Sequence, residues 1–226
     1  MKQKIIDLTV VIPTLGEKSL SSCITRVNMG TILPKLILIV IPKDYSSKIN
    51  KIKIPDNSKI IFTSLKGQVS QKIIGFKEVK TEFIMQLDSD IFLEKNTIEK
   101  LYEFVLKYKN KIAVAPLLLP NINYNHNSGL LSKIKNYIIS GNLILKPGKI
   151  TDIGYNTWFN NNEFKNFSYK VDWLPGGCIL FRKNSVIKNN YYPFQNKAYC
   201  EDILHSLYLS KKKVKLFLIP SVQVEN

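Results

Sequence analysis

Short, fully apolar segments alternate with segments of helical periodicity in the first half of the chain, and this alternation most constrains the fold. Apolar runs at 8–15, 35–42, 59–64 and 82–88 have the length and the β-branched content of buried strands. Between the last two runs, apolar residues in 68–80 recur near helical spacing. Strands that are apolar on both faces and alternate with helices predict a mostly parallel sheet covered by helices on both sides. The sequence therefore predicts an α/β fold.

The segment that starts at Asn96 is the clearest predicted helix. Asn96 and Glu99 have the spacing of a capping box, and Leu101 and Val105 continue an apolar stripe on one face. A short strand is expected to follow at 112–116. The α/β rhythm is therefore predicted to extend to about residue 120.

The predicted alternation of strands and helices is interrupted between residues 120 and 169. This stretch is rich in Asn with interleaved aromatic residues, and it predicts an irregular surface insertion. Regular structure is expected to resume with a Pro-Gly-Gly turn and a strand in 171–183, a helix in 199–213 and a final strand in 214–224. The alternative for the insertion is a region that builds specificity, because functional residues concentrate on loops held by a rigid scaffold.

Composition excludes several classes of protein. A chain of 226 residues with 45% hydrophobic residues can bury a sizeable core, so it is not disordered. It has no run of the ~18 consecutive apolar residues that a membrane span requires. The three cysteines are scattered, with no CxxC pair, which argues against a disulfide framework or a thiolate metal site and favours a reducing, cytoplasmic location.

The net charge of +16 has two interpretations. It creates a field that attracts anions such as nucleotide diphosphates, nucleic acid or an acidic membrane surface. Alternatively, it reflects a composition rich in Lys, Ile and Asn together, as an AT-rich coding sequence produces. The sequence leaves both open.

Two aspartates flank a serine directly after the buried run at 82–88. In α/β sheets, ligands bind beyond the carboxyl ends of the strands, so Asp88 stands where a ligand is expected. If the backbone stays extended, Asp88 and Asp90 point to the same side, about 6–7 Å apart. Carboxylate oxygens of this kind suit Mg²⁺ or Mn²⁺ that also binds substrate phosphates. The alternative is an Asx-type turn before the next helix.

Three segments together resemble a known enzyme family. The N-terminal LTVVIPTL, the central QKIIGFKEVKTEFIMQLDSD and the later LPGGCILFRK with YCEDILHSLYL occur in the order and spacing typical of family 2 glycosyltransferases. The resemblance covers residues 5–120 and 171–220. It implies an inverting, metal-dependent transferase of the GT-A fold, a single domain over residues 1–226 with a nucleotide-binding part (1–120) and an acceptor-side part (121–226).

The resemblance also implies roles for individual residues. Asp202 matches the base that takes the proton from the acceptor hydroxyl, and Asp90 and Asp88 match the ligands of Mn²⁺ or Mg²⁺. Apart from the resemblance, acids in the first turn of a helix commonly just complement its dipole. The implied nucleotide-sugar-binding residues are Pro13, Thr14, Leu15, Glu17, Lys72, Asp88 and Ser89.

The acceptor side is assigned in the same way. The implied partners are a UDP- or GDP-type sugar donor and a glycan or lipid-linked acceptor of surface polysaccharide synthesis, with no nucleic acid. Peripheral association with the inner membrane surface is also predicted. The implied acceptor-side residues are Trp173, Gly176, Gly177 and Glu201.

Some positions depart from the family pattern and keep alternatives open. Lys72 stands where the family usually has Arg, and only Asp44 follows the second strand, which leaves the nucleotide base undetermined. His205 is expected to be a structural helical residue rather than a metal ligand. A sugar-phosphate nucleotidyltransferase is one alternative, although the sequence lacks its Gly-rich phosphate loop. A non-catalytic basic module that binds nucleic acid or membrane is another.

Overall fold

A computed structural model describes residues 3–50, 52–109, 111–119, 130–141, 146–159, 167–192 and 198–225. Within these ranges the strands form one sheet with helices on both faces. The strands are β1 (Lys4–Pro13), β2 (Ile32–Pro42), β3 (Ser58–Thr63), β4 (Phe83–Leu87), β5 (Phe92–Leu93), β6 (Ile112–Leu119), β7 (Tyr169–Lys170), β8 (Cys178–Arg182) and β9 (Lys215–Glu225). The helices are α1 (Ser19–Asn28), α2 (Ser46–Ile49), α3 (Gln68–Glu78), α4 (Thr97–Leu106), α5 (Leu130–Ser140) and α6 (Glu201–Lys211).

The sheet is mixed, and its two halves differ. The strand order is β3-β2-β1-β4-β8-β6-β9-β5, and β7 pairs with β9. β1 to β4 are mutually parallel, as the alternating pattern predicts. β8 is antiparallel to both β4 and β6, whereas β6 and β9 are parallel. The parallel half therefore ends all its strands at one edge, beside the start of β8.

Two apolar cores lie on the two faces of the sheet. Alternate residues of β1 belong to different cores. Leu8, Val10 and Ile12 face the core that includes α1 and α4. Val11 faces the core that includes α3 and α6. This two-sided burial explains why the strands read as continuous apolar runs.

Helix α3 packs closely on the sheet because it carries a glycine at the contact. A Cβ added to Gly75 would lie 2.3 Å from Val11 Cγ1, closer than two carbon atoms approach. The short distance between α3 and β1 brings the first turns of α3 next to the carboxyl end of β1. This contact places polar residues of α3 at the edge of the sheet.

The predicted capping box of α4 is wrong. The helix begins at Thr97 after Asn96, as expected, but the Asn96 side chain makes no capping hydrogen bond. Glu99 instead accepts a hydrogen bond from Thr31 Oγ1 (2.7 Å), so its carboxylate is held by a residue outside the helix. A tertiary contact has replaced the local one.

The predicted irregular insertion is only partly described. Helix α5 lies within it, so the described part contains helical structure that the composition did not indicate. Residues 120–129, 142–145 and 160–166 lie outside the described residues. No helix in the described ranges combines the length and the apolar character needed to cross a membrane.

Candidate active site

A cavity of ≈ 630 Å³ lies at the carboxyl ends of β1 and β4. Its wall combines the segment after β1, the segment before α3 and its first turn, and the turn after β4. Ligands of α/β sheets bind at this edge. The residues that line it are Pro13, Thr14, Leu15, Glu17, Lys66, Gly67, Gln68, Gln71, Asp88, Ser89 and Asp90.

Glu17 organises one wall of this cavity. Its carboxylate accepts hydrogen bonds from Thr14 Oγ1 (2.5 Å), Leu15 N (3.1 Å) and Ser89 Oγ (3.1 Å). Burial opposes ionisation of this carboxyl, but these hydrogen bonds outweigh it and lower the pKa of Glu17. The loop after β1 and the turn after β4 are therefore tied together by a charged group.

Gln71 fixes the ends of two strands. It is buried, and its amide nitrogen donates to Thr14 O (2.8 Å) and Val40 O (2.7 Å) at the ends of β1 and β2. A hydrogen bond from Thr14 N to Val40 O (3.0 Å) joins the same two strands. These contacts hold the backbone of the cavity in place.

Asp88 and Asp90 lie in a turn rather than on extended backbone. β4 ends at Leu87, and Ile91 N donates to Asp88 O (3.2 Å), so the backbone does not stay extended through Asp90. The turn nevertheless directs both residues to the cavity wall. A backbone turn and a wall of the cavity therefore coincide at these residues, and their role in binding a metal stays a prediction.

Lys72 is a fully buried cation that is shared between two carboxylates. Its ammonium lies 3.3 Å from Asp88 Oδ1 and 3.0 Å from Glu201 Oε1, and it also donates to Gly176 O (3.4 Å). Burial disfavours the charged form, but the two carboxylates outweigh burial and raise the pKa of Lys72. Lys72 does not line the cavity, so in this structure it joins the two parts of the site from inside.

The two carboxylates do not share this cation equally. Burial raises the pKa of Asp88, and the attraction of Lys72 does not offset it because Glu201 and Asp90 also repel the charge. Burial also disfavours ionised Glu201, but the closer Lys72 contact and a hydrogen bond from Tyr191 lower the pKa of Glu201. The negative charge of Asp88 is therefore less well compensated than that of Glu201.

The donor set suits a hard divalent cation. Asp88 Oδ1 is buried and, within the described residues, accepts no hydrogen bond, although Lys72 lies nearby. Asp90 is an exposed carboxylate on the same wall. Clusters of three or more His, Cys, Asp or Glu residues are absent from the described ranges, so the protein here offers two carboxylates. Mg²⁺ and related ions commonly bind one or two carboxylates together with phosphate oxygens and water, so these residues fit such an ion.

The Pro-Gly-Gly turn brings residues that were predicted for the acceptor side next to Asp88. Asp88 N donates to Gly177 O (2.8 Å), and Gln86 Nε2 donates to Gly176 O. A Cβ on Gly176 would lie 2.8 Å from Glu201 Oε1, so glycine is needed for helix α6 to approach. Gly176, Gly177 and Glu201 therefore meet next to Asp88.

Glu201 also contacts a buried cluster that contains Tyr191 and His205. Its Oε2 accepts a hydrogen bond from Tyr191 OH (2.8 Å), and the Tyr191 ring stacks on His205 at 4.8 Å between centroids. His205 is fully buried, and burial lowers its pKa to about 4 despite the attraction of Glu201. His205 is packed in the interior as a structural residue would be, and its Nε2 has no hydrogen-bond partner among the described residues.

Asp202 lies beside Glu201 in the first turn of α6. Its Oδ1 accepts a hydrogen bond from Ile203 N (2.9 Å), and it is half-buried. Burial raises the pKa of Asp202, and the charge of Glu201 adds to this effect. Asp202 does not line the cavity at the ends of β1 and β4. A raised pKa makes a carboxylate a stronger base, so the predicted role of Asp202 stays open.

Trp173 is fully buried among aromatic residues. Its indole nitrogen donates to Thr157 O (3.1 Å), and its ring packs against Phe159 with 4.9 Å between centroids. This placement supports the acceptor side by packing, and a direct acceptor-side role stays a prediction.

Sequence reasoning missed four residues of the cavity and one partner of Glu201. Gln71 carried a usable signal, because it is a polar residue in phase with Gly75 on the buried face of α3. Tyr191 gave no such signal in its irregular segment. The missed residues are Lys66, Gly67, Gln68, Gln71 and Tyr191.

A family model for glycosyl transferase family 2 matches residues 9–187, which is most of the chain. The chain belongs to this family. The match contains both the loop after β1 and the turn that carries Asp88 and Asp90. It favours a glycosyltransferase over a nucleotidyltransferase or a non-catalytic basic module. A comparison with curated protein sequences finds no match.

Solved structures confirm the α/β fold of GT-A type. A crystal structure of GalNAc-T7 with UDP, GalNAc and Mn²⁺ has a TM-score of 0.64 and 16% identity, covering 97% of this chain and 42% of that chain. S. aureus TarS 1–349 has a TM-score of 0.54 and 16% identity, with 95% and 60% coverage. The same TarS segment in complex with UDP-GlcNAc has a TM-score of 0.59 and 15% identity, with 97% and 58% coverage. The chain thus spans between 42% and 60% of the length of these structures.

Proposed function

We propose that this protein is a metal-dependent inverting glycosyltransferase that binds a nucleotide-sugar in the cavity at the ends of β1 and β4. The observation that carries the proposal is the pair of carboxylates, Asp88 and Asp90, on the wall of a ≈ 630 Å³ cavity. That volume is in the range of small-molecule sites. Lys66 adds a positive charge on the same wall, which suits a diphosphate.

A UDP-type donor is the best-supported class, with a GDP-type donor as the alternative. The GalNAc-T7 structure contains UDP, and one TarS structure contains UDP-GlcNAc. Pro13, Thr14, Leu15 and Glu17 are proposed to bind the nucleoside part, and Ser89 the region near the diphosphate. These residues all line the cavity.

Asp90 and Asp88 are proposed to hold Mn²⁺ or Mg²⁺. The GalNAc-T7 structure contains Mn²⁺, which supports a divalent ion. Such an ion, when bound, neutralises charge that develops on the leaving diphosphate. Lys72 is proposed to act as a positioning residue rather than a direct donor contact, since its ammonium is held by Asp88 and Glu201.

Asp202 is proposed as the general base. It removes the proton from the acceptor hydroxyl while that oxygen bonds to the anomeric carbon and the bond from this carbon to the diphosphate oxygen breaks. The attack comes from the face opposite the leaving group, which inverts the configuration. The raised pKa of Asp202 favours proton uptake. Gly176, Gly177 and Glu201 are proposed to border the acceptor.

The acceptor is proposed to be a glycan or a lipid-linked glycan of surface polysaccharide synthesis. This class fits a cytoplasmic enzyme that works at the inner face of a membrane. A strongly basic chain, with a net charge of +16, favours such a surface.

A thermal-shift screen tests the donor proposal. UDP, GDP, UDP-sugars and GDP-sugars are each added with and without Mn²⁺. At about 100 times Kd a bound nucleotide stabilises the fold by about 2.7 kcal/mol, which raises Tm by several degrees. We expect that rise only when Mn²⁺ and a nucleotide of one base are both present, and a smaller rise for Lys66→Gln.

The controls separate this proposal from its alternatives. Lys77→Gln changes an exposed lysine on α3 outside the cavity and should behave like the wild type. An equal rise with heparin, lost in high salt, would support a generic basic module instead. Release of pyrophosphate from a nucleoside triphosphate and a sugar phosphate would support a nucleotidyltransferase.

A further inference from the structure

Helix α5 exposes a row of large apolar side chains. Leu131 is 84% exposed, Ile138 76% and Leu130 75%, while Tyr137 and Ile134 are 60% and 47% exposed. Most apolar residues of comparable size on α1, α3 and α4 are buried against the sheet. The row on α5 therefore faces away from the part of the protein that the structure describes.

The row forms one continuous stripe along the helix. At about 100° per residue, Tyr137, Leu130, Ile134, Ile138 and Leu131 fall within an arc of about 120°. A stripe of this width is typical of a helix with one apolar face.

Two lysines border the stripe symmetrically. Lys135 and Lys133 each lie about 100° from the centre of the apolar arc, one on either side. Both are exposed, and α5 contains no Asp or Glu. Lysines in these positions can extend along an apolar surface while their ammonium groups reach anionic headgroups.

The opposite face of α5 is less exposed than the stripe. Asn136 and Ile139 are only partly exposed, so this side is covered while the stripe is open. The helix therefore leaves its apolar stripe open, with one exposed lysine beyond each edge of the stripe.

We infer that α5 lies in the plane of an anionic membrane surface, with the stripe among the acyl chains and Lys133 and Lys135 at the headgroups. Charge complementarity favours lipid over a protein partner, because two cations without an acid flank the stripe and the chain carries a net charge of +16. A helix with this pattern inserts its apolar face at the boundary between headgroups and acyl chains. The inference depends on the proposed function in one respect: membrane binding would give the enzyme access to a lipid-linked acceptor.

Vesicle co-sedimentation of the full chain tests the inference. Vesicles of phosphatidylcholine alone are compared with vesicles of phosphatidylcholine and phosphatidylglycerol. We expect binding to the anionic vesicles, and binding weaker by on the order of tenfold or more in Leu131→Glu/Ile138→Glu, since two apolar side chains no longer insert. Lys133→Gln/Lys135→Gln should bind more weakly and lose part of the salt dependence.

Matched variants control for charge and exposure. Ile5→Glu/Met29→Glu replaces two exposed apolar residues, 66% and 57% exposed, far from α5 along the chain. Lys59→Gln/Lys77→Gln removes two exposed lysines elsewhere. Both control pairs should bind vesicles like the wild type. An unchanged circular dichroism spectrum shows that each variant is folded.

A second measurement does not depend on loss of binding. Tyr137→Trp places an indole on the stripe, and its added emission should shift to the blue when anionic vesicles are present. No vesicle binding, equal loss in the test and control pairs, or no blue shift would overturn the inference. A change of oligomeric state in Leu131→Glu/Ile138→Glu would instead make the stripe a protein interface. Donor binding, followed by thermal shift, is independent of all these outcomes.

Discussion

The proposed donor side and the proposed acceptor side of the site depend on different contacts. On the donor side, backbone hydrogen bonds between parallel strands, such as Thr14 N to Val40 O, place the cavity wall. On the other side, strand β8 also pairs with β4 through its backbone, but helix α6 meets the first half of the site through a buried ion pair between Lys72 and Glu201. Backbone pairing does not depend on one side chain, whereas the ion pair does.

This difference shows where the site is open to disruption. A buried cation that loses one partner leaves an uncompensated charge, and this costs several kcal/mol. The donor cavity should therefore tolerate changes on the acceptor side, while the junction at Lys72 should not tolerate its own removal.

Asp202→Asn should abolish transfer while leaving the donor cavity intact. The variant keeps the shape of the side chain but cannot accept the proton, so we expect a rate loss on the order of 10²–10⁴-fold. The measurement is transfer to acceptor together with nucleotide binding, which should be unchanged because Asp202 does not line the cavity.

Asp152→Asn is the matched control, since Asp152 is an exposed carboxylate on the acceptor half of the chain. It should transfer at the wild-type rate. If Asp202→Asn kept full turnover, another group would have to be the base.

Lys72→Met should destabilise the fold. It leaves Asp88 and Glu201 as buried carboxylates without their shared cation, which costs about 3–5 kcal/mol in the free energy of unfolding. Urea unfolding measures this loss. Lys77→Met on the same helix is exposed and should change stability by no more than about 0.5 kcal/mol.

The Lys72 result also has a clear contrary outcome. If Lys72→Met lost less than about 1 kcal/mol, like a surface change, the two halves would be held by strand pairing and packing without a contribution from the ion pair.

The buried His205 should make stability fall in mild acid. Its pKa lies at about 4 instead of 6.5, because burial and the nearby Lys72 disfavour the charged ring more than Glu201 favours it. The unfolded chain therefore binds the proton more tightly, so the stability present above pH 6.5 falls by up to about 3 kcal/mol between pH 6.5 and pH 4.

His205→Phe isolates this contribution, since an aromatic ring can keep the stacking on Tyr191 without titrating. Unfolding free energies of both proteins are measured across this range. The variant should lose less stability than the wild type towards pH 4. Parallel curves would mean that the imidazole is not buried as a neutral ring.

The sequence predicted the parallel half of the fold well because its signal is local. Apolar runs such as 35–42 needed no distant partner to be recognised as strands, and β2 has matching structure. The capping box at Asn96 failed because Thr31, distant in sequence, binds Glu99. The order of the later strands also could not be read from periodicity, since β8 inserts between β4 and β6.

The candidate site could likewise be predicted from the sequence only where its signal was local. Asp88 and Asp90 were visible as acids after a buried strand, and the structure puts both on the cavity wall. The role of Lys72 was not visible, because its two partners lie in other parts of the chain and one of them belongs to α6. Ion pairs between distant parts of the chain leave no periodic pattern in the sequence from which they could be predicted.

Manganese binding measured by electron paramagnetic resonance tests the central claim most directly. Free Mn²⁺ gives a strong signal that falls when the ion binds, so the wild type is titrated with and without UDP. We expect tighter Mn²⁺ binding with UDP, lost in Asp90→Asn and kept in Asp56→Asn, an exposed aspartate outside the cavity. Equal Mn²⁺ binding by both variants, or no effect of UDP, would contradict a metal-assisted diphosphate site at this edge of the sheet.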